Sequence, residues 1–144
     1  MEFVTKHFSH LTTEELYSLL QLRCAVFVVE QNCVYQDPDG KDKNAYHTFA
    51  MDRQGNLKAC LRFVEKDADT VHMGRVITVD RGTGMGAKLL KAGIEAVKQH
   101  TDKKAIYLEA QSYAVGFYEK AGFTVIGEEF VEDGIPHIPM MYRF

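Results

Sequence analysis

The sequence predicts an α/β fold of the α+β kind: a mixed, mostly antiparallel sheet in one layer, flanked by helices. Three observations carry this. His47–Met51 and Leu57–Val64 are strand-like runs on either side of the turn Gln54-Gly55-Asn56, and they read as an antiparallel hairpin. Val71–Val79, a helical stretch over Gly84–His100 and Ile106–Ala110 follow as strand, helix, strand, the order that crosses over to a parallel neighbour. The chain has 144 residues, 46% hydrophobic and 26% charged, enough for one core and one domain spanning 1–144.

The elements follow in order. Phe3 and Val4 open a first strand. Thr12-Thr13-Glu14-Glu15 is a helix start, with Thr12 as N-cap and Glu15 three residues on. Leu16, Leu19, Leu20, Arg23, Val26 and Phe27 then form a largely apolar stripe at helical spacing. Cys33–Lys43 is a loop built on Asp37-Pro38-Asp39-Gly40. The hairpin comes next, closed by a turn at Asp67–Thr70. After the strand–helix–strand unit, Tyr113–Ala121 reads as a helix stopped by Gly122. Phe123–Glu129 and His137–Arg143 are final strands, joined by the turn Glu132-Asp133-Gly134-Ile135-Pro136.

Composition excludes some functions. A net charge of −3 argues against a nucleic-acid binder that relies on phosphate contacts. No apolar run is long enough to span a bilayer, so no membrane partner is expected. The charged N-terminus Met1–His7 does not resemble a signal peptide, and a cytoplasmic location is expected. Cys24, Cys33 and Cys60 are odd in number and form no C-x-x-C pair. They suit neither a disulfide framework nor a zinc site, and no metal is expected.

The sharpest feature is the glycine loop Arg81-Gly82-Thr83-Gly84-Met85-Gly86, set between a strand and a helix. Glycines let backbone N–H groups converge, and the helix N-terminus adds partial positive charge, which together suit a phosphate or pyrophosphate. Three cofactor classes could use it. A nucleotide loop of the Walker type needs Gly-Lys-Ser/Thr, whereas this chain has Ala87-Lys88-Leu89. A dinucleotide fingerprint is met loosely by Gly82, Gly84 and Ala87, with Glu109 ending the next strand, yet too little chain follows to complete such a fold. The third is the acetyl-CoA loop of the GCN5-related N-acetyltransferases, Arg/Gln-x-x-Gly-x-Gly/Ala, which Arg81, Gly84 and Gly86 resemble.

A second segment extends that resemblance. Gln111–Phe123 is similar to the family's Asn-x-x-Ala-x-x-Phe-Tyr-x-x-x-Gly-Phe, matching at Ala114, Phe117, Tyr118, Gly122 and Phe123, with Gln111 in place of Asn. Leu22–Gln31, the Asp-Gly loop, His47 and Glu132–His137 resemble the ElaA-type branch. A connector between Val79 and Arg81 shorter than usual is the departure. The resemblance implies that the parallel strands splay at their C-terminal ends. The pantetheine arm of acetyl-CoA, the cosubstrate, would pair with Ile77, Thr78 and Val79. Its pyrophosphate would rest on Arg81, Gly82, Thr83, Gly84, Met85 and Gly86, and Gln111, Phe117 and Tyr118 would complete the site. An amine acceptor, small molecule or peptide, would lose a proton to a carboxylate or imidazole and attack the thioester. Glu30, His47 and His137 are the residues expected near the thioester, and Tyr118 is expected to protonate the departing thiolate. Ordinary roles stay open: Tyr118 as a core aromatic, Glu30 solvated, His47 structural. A non-catalytic acyl-CoA sensor also stays open, as does a homodimer.

Overall fold

The structure, a computed structural model, describes residues 1–144. The strands are β1 (Val4–His7), β2 (Tyr46–Met51), β3 (Leu57–Glu65), β4 (Thr70–Thr78), β5 (Ala105–Gln111), β6 (Thr124–Val125), β7 (Phe130–Glu132) and β8 (Ile135–Arg143). The helices are α1 (Thr13–Arg23), α2 (Met85–His100) and α3 (Val115–Lys120). One sheet runs in the order β1-β2-β3-β4-β5-β8-β6, with β7 paired to β8. Every pairing is antiparallel except β4 with β5.

The parallel pair is short. Its register covers Thr70↔Ala105, Val71↔Ile106 and His72↔Tyr107, and then the strands part. Val76 and Leu108 therefore already lie in the opened region. On the far side β5 pairs along its whole length with β8, antiparallel. A dinucleotide half needs further parallel strands at this place, so the fold removes that reading of the glycine loop.

Alternation along the strands sorts two cores. Ala59, Leu61 and Phe63 of β3, Val71 and Met73 of β4, and Ile106 and Leu108 of β5 meet Leu89, Leu90 and Val97 of α2 and Tyr118 of α3. On the other face Leu19 of α1 meets Phe49, Cys60 and Ile77. Met73 and Ile77 are both odd-numbered, yet they face opposite sides. A bulge is the reason: Cys60 is opposite Ile77 and Arg62 is opposite Gly74, so Arg75 and Val76 together oppose Leu61.

The expected capping box holds α1: Glu15 N–H donates to Thr12 Oγ1 (3.1 Å) and Thr12 N–H to Glu15 Oε1 (2.8 Å). Beyond Arg23 the helix widens to π geometry over Cys24–Glu30. Arg23 sits in the apolar stripe but is held by charge. It donates to Asp37 (2.8 Å) and Asp42 (2.7 Å); Arg62 donates to Asp42 (2.9 Å) and Asp39 (2.7 Å); Arg75 lies 2.8 Å from Asp37 and 3.5 Å from Asp39. These are three guanidinium groups and three carboxylates alternating around a closed ring. The ring clips the Asp-Gly loop onto α1, β3 and β4. Paired charges tolerate burial, whereas a lone one here would cost about 3–5 kcal/mol.

Three smaller differences from the sequence reading are local. The helix after β5 starts as a 3₁₀ turn over Ser112–Ala114. Phe123–Glu129 is not one strand: Ile126 N–H bonds the Pro139 carbonyl (3.0 Å), Gly127 lies against the Pro139 ring, and pairing resumes only at Phe130. Ile135 and Pro136, read as turn, already belong to β8.

Candidate active site

The site is the gap where β4 and β5 part. Val79 N–H donates to the Lys58 carbonyl of the β3 edge (2.9 Å). Successive backbone groups of a strand point to opposite edges. Ile77 therefore shares the β3 edge with Val79, while Val76 and Thr78 present theirs to the gap. Among the three expected pantetheine partners, Thr78 is the one whose backbone is open.

Below the gap lies the glycine loop. The Thr83 hydroxyl donates to the Asp80 carbonyl (2.7 Å) and closes the short connector. Gly84 is the N-cap of α2 at φ 81, a left-handed conformation that disfavours side chains. No side chain caps the helix, and its first turn holds no acidic residue. The first amides of α2 therefore lack both an intrahelical acceptor and a cap, and they carry the positive end of a 16-residue helix. Gly86 lets the loop approach α3: a Cβ there would meet the Phe117 ring at 3.1 Å. Gly82, Thr83 and Met85 complete a cradle suited to an anion.

Glu30–Cys33 crosses the mouth of the gap. Glu30 pairs with Arg81 (2.6 Å), Gln111 Nε2 donates to Gln31 Oε1 (3.5 Å), and Cys33 Sγ lies 3.6 Å from the Asp133 backbone carbonyl. His137 stands opposite Gln111 in the β5–β8 register. Its Nδ1 is 2.7 Å from the Ile135 carbonyl. A carbonyl only accepts, so Nδ1 carries the proton, and in the neutral ring Nε2 keeps its lone pair. Phe130 stacks on the ring at 5.8 Å.

Tyr118 is 9% exposed, edge-on to Phe117 (5.0 Å) and Phe123 (5.9 Å). Its hydroxyl bonds to nothing in the chain, yet no sealed polar side-chain atom lacks a partner, so the oxygen is not fully sealed. Burial, reinforced by Tyr113, pushes its pKa above the usual phenol value, so it stays protonated.

The expected proton acceptors do not form one cluster. Glu30 is engaged by Arg81 beside the glycine loop, and His137 lies at the end of β5. His47 is brought to neither: it is 1% exposed, with Nε2 3.2 Å from the Asp42 carbonyl beside the charge ring. Burial lowers its pKa, and the ring has no open path to an acceptor. Sequence reading passed over His72. It lies on the same sheet face as Glu109, Gln111 and His137, at the last paired position before the gap, with Nε2 3.7 Å from Glu109. Tyr107 donates to the other Glu109 oxygen (3.1 Å). Burial and the cations Lys41, Arg62 and Lys66 lower the His72 pKa to about 4, against the opposing charge of Glu132. Only the strand register, which joins residues far apart in sequence, reveals this grouping.

These two histidines make stability pH-dependent. Both have folded-state pKa values below the unfolded value of about 6.5. As pH falls below about 6.5 the unfolded chain takes up protons that the folded chain refuses, so stability drops toward pH 4. Denaturant midpoints at pH 6.5 and 4.5 should show this loss, and His72→Gln should reduce it.

The fold and site define a member of the GCN5-related N-acetyltransferases. The family model for an acetyltransferase (GNAT) domain matches residues 11–144, and the chain belongs to this family. It is 42% identical to the protein ElaA of Escherichia coli over 145 residues, 97% of this chain and 95% of that protein. The crystal structure of E. coli ElaA superposes with a TM-score of 0.92 at 40% identity, covering 99% of both chains. A UPF0039 protein of Schizosaccharomyces pombe is 38% identical over 143 residues, 97% of this chain and 95% of that one. The crystal structure of an acyl-CoA N-acyltransferase from Pseudomonas aeruginosa gives a TM-score of 0.88 at 37% identity, covering 99% of both chains. No helix is long and apolar enough to cross a membrane.

Proposed function

We propose that the chain, as one domain over 1–144, transfers the acetyl group of acetyl-CoA to a primary amine of a small molecule or peptide. The observation that carries this reading is the uncapped N-terminus of α2 at the foot of the gap between β4 and β5. A pyrophosphate fits the free amides, and an extended pantetheine fits the open edge of Thr78 and Val76. The thioester supplies the activated acyl group, so the reading calls for no metal.

His137, with Nε2 free, takes the proton from the acceptor ammonium, directly or through water. The amine nitrogen then bonds to the acetyl carbon, the carbon–sulfur bond breaks, the electron pair leaves on sulfur, and the nitrogen's second proton passes through water to restore Tyr118 once it has protonated that sulfur. Val76 N–H faces the oxygen on which charge develops. Tyr118 donates its hydrogen bond, and then its proton, to sulfur. Glu30 holds Arg81, and with it the loop, in place. Phe117 and Gln111 line the walls of the gap.

Release of free thiol from acetyl-CoA, followed over an array of primary amines, tests this. The expected result is amine-dependent release with N-acetylated product detected by mass. Acetyl-CoA binding with no turnover on any amine would instead support a sensor.

A further inference from the structure

Three residues other than glycine adopt positive φ: Asn32 (49°), Arg75 (54°) and Asp133 (51°). Asn and Asp tolerate this region through their short polar side chains; arginine has no such compensation. Arg75 also sits inside a strand, at the bulge where two residues of β4 oppose one of β3. Something must hold it there. Its Nε donates to Asp37 (2.8 Å), its Nη2 to the Asp37 carbonyl (3.0 Å), and its guanidinium lies 5.7 Å from the centre of the Tyr35 ring. The Asp37 side chain is fully buried and also receives Arg23 (2.8 Å) and the Tyr35 hydroxyl (2.8 Å).

The geometry points to Arg75 as a positioning residue: the closed ring of charges clamps its backbone in the left-handed conformation, and this aims the next amide, Val76 N–H, into the gap between β4 and β5. This rests on the acetyl-transfer reading. A bulge leaves its extra residue out of the ladder. A regular β4 would return the backbone of residues 75 and 76 to the alternation that pairs with β3, and it would turn Ile77 toward the α2 face. A carbonyl oxygen in the gap gains most from that amide when charge develops on it, so the effect belongs to turnover rather than to ground-state binding. The ring also ties the amide to the Asp-Gly loop, which joins the segment crossing the mouth of the gap to β2. The acceptor side and the acyl side thus share one rigid clamp.

The test separates the backbone from the side chain. Arg75→Ala keeps a Cβ at an unfavourable φ and removes the clamp; Arg75→Gly also removes the clamp but adopts positive φ freely. With the amine found for the wild type, Arg75→Ala is expected to lower kcat at least tenfold while the KM for acetyl-CoA moves less than threefold. Arg75→Gly should recover most of the lost kcat, although both variants lose the same ion pairs and melt at similarly reduced temperatures. Turnover is measured below both midpoints, and Arg75→Asn, which tolerates the left-handed region, should fall between them. Equal kcat in the Gly and Ala variants, or a wild-type kcat in the Ala variant, overturns the inference. A wild type that binds acetyl-CoA but acetylates no amine refutes the acetyl-transfer reading instead.

Discussion

Tyr118→Phe is expected to lower kcat by about 10²–10⁴-fold, the range of a general acid, with acetyl-CoA affinity and the thermal midpoint nearly unchanged. The ring contacts with Phe117 and Phe123 survive the substitution. The hydroxyl has no partner in the chain, so its removal breaks no internal hydrogen bond. At ordinary values, passing a proton from a phenol of pKa about 10 to a thiolate of about 8.5 runs uphill. Burial raises the phenol further. The proton therefore moves as charge builds on a sulfur that shares the same poorly solvated setting, and the hydrogen bond strengthens as it does so. A tyrosine that only packs would leave turnover as well as the thermal midpoint nearly unchanged, because its hydroxyl has no hydrogen-bond partner to lose. Measuring kcat and the thermal midpoint on one preparation distinguishes the two. A drop in kcat smaller than about tenfold would leave Tyr118 a packing role.

Local signals in the sequence were reliable where the physics is local. Thr12 and Glu15 announce α1 because a capping box closes within four residues. The glycine loop announces an uncapped helix for the same reason, and Phe117, Tyr118, Gly122 and Phe123 lie together on one helix and its exit. The parallel pair followed from connection order, but its length did not. β4 and β5 part beyond His72 and Tyr107, and the bulge at Arg75 that follows is tied to Asp37 far away in sequence. Asp37-Pro38-Asp39-Gly40 read as a loop and as part of the resemblance to the ElaA-type branch, with no ion pair expected of it. Its two carboxylates are part of a charge ring assembled from α1, β3 and β4. Arg23 looked like an interruption of an apolar stripe for the same reason: a buried ion pair is invisible until both partners are placed. His47 and His137 were indistinguishable as histidines near strand starts. One lies at 1% exposure beside Asp42, the other at the rim of the gap opposite Gln111.

The central claim is that acetyl-CoA lies with its pyrophosphate on the amides behind Gly84. Calorimetric titration of acetyl-CoA into wild type, Gly84→Asn and Gly84→Asp tests it most directly. Asn and Asp are isosteric and tolerate the left-handed backbone, so both variants carry the same strain at φ 81. A Cβ at this position meets nothing within 4 Å, so neither side chain is excluded by contact. They differ only in charge. A carboxylate beside the first amides of α2 competes for them and repels a pyrophosphate, whereas an amide group does neither. The account predicts measurable binding to wild type, a loss below about tenfold for Gly84→Asn, and a loss of at least 100-fold, about 2.7 kcal/mol, for folded Gly84→Asp. Equal affinities in the Asn and Asp variants would contradict it, since no anion could then rest on the glycine loop.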